Sequence, residues 1–370
     1  MPDFPFPERP CLLPPVEYDR PPRTVTLRGD REALLVTKYE DVRTVLADPR
    51  FSREAFAGPA LFARERRSLA LVASDPPDHT RRRRAVTAAF TARHAERMRP
   101  ELTAIADELL AKLSSPADLV NEFAMPFPMI VMCRMLGVPE RDMAALREWG
   151  DAMMSTSRFP AEQVAGAHRR MHEYFARLVD AGELLIDGSD LDREELVALG
   201  AGMFIAGYET TGNQLAICLY LLLRDPSLMT AARADLPALV EEMLRWTSFM
   251  STGGPPHVAL ADVPLGDVVV RAGQAVVPVI DAANRDGAVF PEPDRIVPDR
   301  APNPHVAFGH GRHHCLGAHL ARVELQVGIG RLLDVLGDMR FAVPEHRLTW
   351  RRGMFVRGLW ELPVEWGKPC

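Results

Sequence analysis

Residues Phe308 to Arg322 read FGHGRHHCLGAHLAR, and the fold is decided by how the one cysteine in that stretch, Cys315, is read. Glycines at 309, 311 and 317 permit a tight turn. A helix-like run starts at Ala318 immediately afterwards. Cys315 is therefore expected at a helix N-terminus, where unpaired backbone N–H groups and the positive end of the macrodipole favour a thiolate.

Two ordinary readings compete. His310, His313, His314, Cys315 and His319 fall within ten residues and offer nitrogen and sulfur ligands for zinc. Their spacing matches no zinc pattern, and zinc leaves the glycines unexplained. A simple buried thiol is the other reading, and it explains none of the neighbours of Cys315.

Phe308, Gly309, Gly311, His313, Cys315 and Gly317 fill the pattern Phe-Gly-x-Gly-x-His-x-Cys-x-Gly residue for residue. That pattern resembles the haem-binding signature of the cytochrome P450 monooxygenases. The resemblance implies thiolate-ligated haem b, with Cys315 as the axial ligand on the iron. It also implies Phe308 beside the sulfur, His313 on a haem propionate, and Gly309 and Gly317 as parts of the cofactor loop.

Upstream, DAANRDGAVFPEPDRIVPDR resembles the family's meander, with Asn284, Arg285 and Asp286 in place. Before it, VVVRAGQAVVPVI reads as strands turning at Arg271-Ala272-Gly273. His257 stands where the family usually has an arginine that holds a propionate; a histidine there can still donate a hydrogen bond, with a charge that depends on pH. A solvent-facing histidine is the alternative at this position. Glu242 and Arg245, three apart, are neighbours on a helix and resemble the family's structural Glu-x-x-Arg pair.

Leu191 to Leu223 is the longest helical pattern, yet Gly200, Gly202, Gly207 and Gly212 interrupt it, each costing about 1 kcal/mol against alanine. Close approach of the backbone to a flat ligand is the expected reason. Its centre, Ala206-Gly207-Tyr208-Glu209-Thr210-Thr211, resembles the family's oxygen-activating groove. By that match Ala206 and Gly207 border the cofactor, and Glu209 and Thr210 deliver protons during O–O cleavage. Tyr208 is read as packing into the protein, with membership of the proton network as the sharper alternative.

Further upstream, Asp75-Pro76-Pro77-Asp78 starts a helix that carries His79 and Arg83 on one face, four residues apart. Two cationic donors on one face can clamp an anion, and the resemblance makes that anion a haem propionate. Arg81, Arg82 and Arg84 read as a solvated charge run, with docking of an electron-donor protein as a second use. Eight methionines fall from Met125 to Met171. The resemblance, which implies a lid and substrate-contacting helices here, makes Met153 and Met154 candidate pocket residues, with core packing as the alternative. The resemblance implies that residues 55–71 cap the substrate pocket. Thr24 to Thr37 reads as a hairpin turning at Gly29-Asp30, and Tyr39 to Leu46 as a helix. The segment after Met339 reads as short hairpins, with Met354 to Val356 near the pocket.

Composition sets the frame. The chain has 370 residues, 47% hydrophobic and 25% charged, with no linker or repeat that would divide it. Five scattered cysteines, Cys11, Cys133, Cys218, Cys315 and Cys370, do not form a disulfide framework and suggest a reducing compartment. The first residues lack a basic and an apolar signal region, and no run approaches the ~20 apolar residues a membrane span needs. A cytoplasmic protein without membrane insertion is expected. A net charge of -6 argues against nucleic acid as a partner.

The expected fold is mainly α (α+β), one cytochrome P450 domain over residues 1–370, with a large helical lobe and a small β-rich lobe enclosing haem. The expected activity is insertion of one oxygen atom from O2 into a C–H bond or alkene of a small apolar substrate, a specialised metabolite. The chain carries no flavin or iron–sulfur motif, so electrons are expected from separate proteins, which the resemblance implies are a ferredoxin and its NAD(P)H-dependent reductase. A monomer is the family's usual state. Oxidative coupling or desaturation at the same haem, and ligand binding without turnover, are the alternatives.

Overall fold

The computed structural model describes residues 3–6, 12–19, 23–27, 30–56, 71–186, 188 and 190–367. Cys11, Gly29, Cys370 and residues 57–70 of the expected pocket cap lie outside the described residues. In chain order the helices are α1 (Tyr39–Ala47), α2 (Asp78–Thr87), α3 (Ala92–Leu110), α4 (Pro126–Leu136), α5 (Met143–Met153), α6 (Ala161–Asp180), α7 (Arg193–Arg224), α8 (Pro226–Ala234), α9 (Leu236–Trp246), α10 (Ile280–Ala283) and α11 (Ala318–Leu336). The strands are β1 (Arg23–Leu27), β2 (Arg31–Val36), β3 (Phe51–Ser52), β4 (Ala117–Asp118), β5 (His257–Ala259), β6 (Val263–Leu265), β7 (Val268–Val270), β8 (Ala275–Pro278), β9 (Met339–Phe341) and β10 (Pro363–Trp366). The chain gathers into two compact units: Met1–Arg83, Glu242–Ile296 and Ala301–Leu316 in the first, and Arg84–Glu241, Val297–Arg300 and Gly317–Cys370 in the second.

The first unit is built on a five-stranded sheet in the order β1-β2-β8-β5-β3. The expected hairpin pairs Thr24 with Leu34 and Val25 with Ala33. Because side chains alternate across a strand, Leu34, Val36 and Val276 join Tyr39, Val42 and Phe290 in one buried cluster. Ala33, Leu35, Ala275 and Val277 join Phe4, Phe6 and Phe56 in another, on the opposite face. Glu242 and Arg245 do pair on α9, through hydrogen bonds of 2.7 and 2.8 Å, with neither side chain exposed. The remaining Arg245 donors take the carbonyls of Asn284, Pro293 and Arg295. A buried ion pair with its other donors satisfied fixes the meander to the helix.

In the second unit α7, 32 residues long, starts at a capping box made by Asp192 and Glu195. Every residue from Thr211 to Leu223 is buried. Helices α4, α6 and α11 pack on α7, and α3 packs on α11. The tail strands are short: β10 pairs with β9 and with β4. Among the described residues no single helix is long and apolar enough to cross a membrane; α7 and the α8–α9 segment pass together by length and composition, bent by 120°.

Candidate functional site

In the first unit, the loop that carries Cys315 closes on itself. Gly309 and Gly311 adopt φ of 74° and 70°, the left-handed region where glycine is favoured. A Cβ on Gly311 would sit 2.6 Å from the Leu46 carbonyl oxygen and 2.8 Å from the Ala47 Cα, so α1 leaves no room for a side chain. The Cys315 N–H donates to the Phe308 carbonyl at 2.8 Å, and the His314 N–H donates to Gly311 at 3.0 Å. Phe308 and Cys315 thus stand on facing sides of one turn. Gly317 differs from expectation: it is the N-cap of α11 with φ of -83°, so the turn does not need its freedom. Cys315 precedes that cap by two residues and is exposed, whereas Cys133 and Cys218 are buried. Burial pushes both of those thiols up to about 12, which removes them as thiolates near neutral pH.

Around this loop the same unit collects buried imidazole and guanidinium groups. His79 on α2 and His313 lie with ring centroids 4.3 Å apart. His313 Nε2 is 3.9 Å from Asp75 Oδ1, and Ser52 Oγ donates to the other oxygen of Asp75. Burial raises the Asp75 carboxyl, but the nearby His313 ring and hydrogen bonds from Ser52 and the Arg53 backbone outweigh it and leave the group at about 2. Burial, then His313 and Arg83, lower His79 to about 4. Burial and Arg53 lower His257 to about 3, so His257 is buried and neutral, not solvent-facing. Among the described residues of this cluster, four buried nitrogens find no hydrogen-bond partner: His79 Nε2, His257 Nδ1, His313 Nε2 and Arg312 Nη2. Orphaned buried donors are costly; two carboxylates of a bound cofactor would satisfy them, so these residues fit haem propionates. Arg53, Asp75 and Arg312 were not foreseen as members of this cluster. Arg312 lies inside the cysteine stretch, but nothing local marks Arg53.

In the second unit, Glu209 is completely buried on α7. Its Oε1 accepts from Arg351 Nη2 at 2.6 Å, and the same nitrogen donates to Asp151 Oδ1 at 2.7 Å. Oε2 has no partner. Burial raises the Glu209 carboxyl to about 7, with Arg351 opposing and Asp151 adding to the rise. Thr210 Oγ1 donates to the Ala206 carbonyl at 2.5 Å. Sequence reading missed Arg351, which lies in a segment read only as hairpin.

Packing, not a flat ligand, explains three of the four α7 glycines. A Cβ on Gly200 would meet Phe175 and Leu184, on Gly207 the Met132 sulfur, and on Gly212 Met125. Only Gly202 has open space beside it. Gly202, Ala206 and Thr210 recur every four residues and form a small-residue stripe, while Gly207 turns toward α4. Tyr208 does pack into the protein, its ring 5.1 Å from Phe204 and its hydroxyl against Gly150. Met153 and Met154 are partly buried, and the Met154 carbonyl accepts the Phe355 N–H at 2.7 Å. Met354 and Val356 are buried.

Arg82 departs from the expected solvated run, being 4% exposed, and lies 4.0 Å from Asp78. Arg84 is exposed and paired with Asp190 at 2.9 Å. Among the described residues no group of three or more His, Cys, Asp or Glu could hold a metal ion. The histidines around Cys315 therefore do not assemble a zinc site.

Three comparisons bear on this geometry. The family profile described as Cytochrome P450 matches residues 173–336. The chain is 42% identical over 377 residues to the mycinamicin IV hydroxylase/epoxidase of Micromonospora griseorubida, covering 95% of this chain and 92% of that one. It is 38% identical over 374 residues to the nocardicin C N-oxygenase of Nocardia uniformis subsp. tsuyamanensis, covering 95% and 94%. Among solved structures it resembles the LnmA cytochrome P450 hydroxylase of the leinamycin biosynthetic pathway of Streptomyces atroolivaceus, with TM-score 0.88, 36% identity, and 99% and 100% of the two chains covered.

Proposed function

The chain belongs to the cytochrome P450 family and is a haem-iron monooxygenase, and from that premise we propose that Cys315 is the axial ligand of haem b and that the substrate is a small apolar specialised metabolite. The observation that carries the proposal is the self-closed loop on which Cys315 is exposed while Cys133 and Cys218 are buried. When bound, thiolate-ligated haem supplies the iron at which O2 is activated, the sulfur pushing electron density toward O–O cleavage.

The chain's own residues supply position and protons. His79, His313 and Arg312 hold the propionates through donors that are otherwise unpaired, with Arg83 adding positive charge beside His79. Glu209, poised at about 7, can release and regain a proton at neutral pH. Its unpartnered Oε2 is the atom from which the proton leaves. Thr210 commits its hydroxyl hydrogen to Ala206 and keeps its oxygen lone pairs for a proton donor. The small stripe Gly202, Ala206 and Thr210 keeps side-chain bulk away from that step.

The relatives' names carry hydroxylation with epoxidation in one case and N-oxygenation in another. Reaction class transfers between such proteins more readily than substrate, so the substrate here is set by this chain's own pocket. Electrons come from separate redox proteins, which we take to be a ferredoxin and its NAD(P)H-dependent reductase, meeting a cytoplasmic monomer formed by one domain.

The test is a difference spectrum of the reduced protein with and without carbon monoxide. A strongly red-shifted Soret band is expected. A band at the position of neutral-ligand haem, or a preparation that takes up no haem, would overturn the assignment of Cys315.

A further inference from the structure

We propose that Arg53 binds a haem propionate in this chain, taking over the guanidinium role that His257 does not fill. This rests on the haem-thiolate reading of the Cys315 loop.

Antiparallel pairing brings the two residues together. Phe51 faces Ala259 and Ser52 faces Val258, so one further step along the register sets Arg53 opposite His257. Arg53 Nε then donates to His257 Nε2 at 3.2 Å. A ring nitrogen that accepts carries no proton, so the imidazole is neutral with its hydrogen on Nδ1. Nδ1 has no hydrogen-bond partner of good geometry, although the nearby Pro255 carbonyl favours its proton. The fixed positive charge at this place is consequently that of Arg53.

Arg53 is 7% exposed, yet its side chain bonds no carboxylate. Nη1 donates to the Val72 carbonyl at 3.3 Å. Asp75, the acid beside it, meets only the Arg53 backbone N–H, at 3.4 Å, and otherwise accepts from Ser52, with His313 Nε2 3.9 Å away. Nη2 makes no hydrogen bond among the described residues. A buried guanidinium without a hydrogen-bonded counter-ion is costly. Placed among the unpaired nitrogens of His79, His313 and Arg312, it gives the cluster a second guanidinium beside that of Arg312, with Asp75 as the carboxylate next to it. A ligand carboxylate is the group such a set takes, and the planar fork of arginine matches it.

The experiment compares full-length haem-loaded wild type with Arg53→Gln, Arg53→Lys and the double variant Arg53→Gln/His257→Arg. The readouts are haem per polypeptide, the rate of haem transfer to an excess of apomyoglobin, and the haem midpoint potential. Arg53→Gln is expected to release haem about tenfold faster, as loss of one charge-assisted hydrogen bond implies. Arg53→Lys should lie between it and wild type. His257→Arg in the Arg53→Gln background should return the rate and the potential toward wild type, which repair of a merely structural contact would not do. Haem release at the wild-type rate from Arg53→Gln, or no recovery in the double variant, overturns the proposal. If Arg53→Gln does not fold, the lysine variant, which keeps the charge and loses the fork, carries the same comparison. Wild type that holds no haem, or holds it without the red-shifted carbon monoxide band, overturns the Cys315 reading instead.

Discussion

Arg351 Nη2 donates to Glu209 Oε1 at 2.6 Å, and neither side chain has any exposed surface. The two residues are 142 positions apart, so the contact exists only because the C-terminal segment folds against α7. The Arg351 guanidinium also lies 4.3 Å from the centroid of the Trp360 ring. Despite this counter-charge, burial wins at Glu209 and holds its carboxyl at about 7.

Arg351→Met strands the Glu209 carboxylate without its cation. Breaking one side of a buried pair costs about 3–5 kcal/mol, so urea denaturation should show a loss approaching that order at pH 9, where Glu209 is driven to ionise, and a smaller one near pH 7, where the acid keeps its proton. Replacing Glu209 with Gln in the same chain should recover much of it, because only Asp151, the other and less buried partner of Arg351, is then left without its cation. If the double variant is no more stable than Arg351→Met, the pair is not the source of the loss.

Glu209→Gln keeps the shape and removes the ionisable proton. The rate of product formation should fall by roughly 10²–10⁴ and the ratio of product to reductant consumed should fall with it, with haem content unchanged. In the wild type the same ratio should decline as pH rises through about 7, since the acid loses its proton there. The Gln variant should show no such decline; a matching pH profile in both proteins would remove Glu209 from the relay.

Gly150 and Tyr208 form a size-matched pair. A Cβ at position 150 would overlap the Tyr208 hydroxyl, so Gly150→Ala should destabilise by about 1–3 kcal/mol. Tyr208 Oη is buried without a partner, so Tyr208→Phe should be neutral or slightly stabilising and should leave coupling unchanged. The combination Gly150→Ala/Tyr208→Phe should melt close to wild type. Reduced coupling in Tyr208→Phe would instead put the hydroxyl into the proton network.

The cysteine loop, the α7 helix and the Glu242–Arg245 pair were legible because each is contiguous in sequence: glycine placement, an apolar period and an i,i+3 spacing are local signals. Arg53 and Arg351 were not, because their partners are set by strand register and tertiary packing. The glycines of α7 show a subtler failure. Their presence was visible, but Gly200, Gly207 and Gly212 are needed by Phe175, Met132 and Met125 on neighbouring segments, which no single-helix pattern records. Arg82 was taken for part of a solvated run because four consecutive arginines, Arg81 to Arg84, hide which one turns inward.

Glu324 lies on α11 at 2% exposure, and burial alone pushes its carboxyl up to about 8. The unfolded chain releases this proton near 4.5, whereas the folded chain keeps it until about 8. Between those values the native state binds one more proton than the unfolded state, so stability must fall as pH rises, by at most about 1.4 kcal/mol per pH unit from this group. Below 4.5 the group costs nothing, and above 8 the loss is complete. Glu324→Gln mimics the protonated acid and has no such slope. Urea denaturation at pH 5, 7 and 9 should therefore show the variant near wild type at pH 5 and progressively more stable than wild type at pH 7 and 9. Haem and every other titrating group are common to both proteins and cancel in the difference. A difference that does not change with pH would mean that Glu324 ionises at its ordinary value and that α11 admits water or a counter-charge at this position.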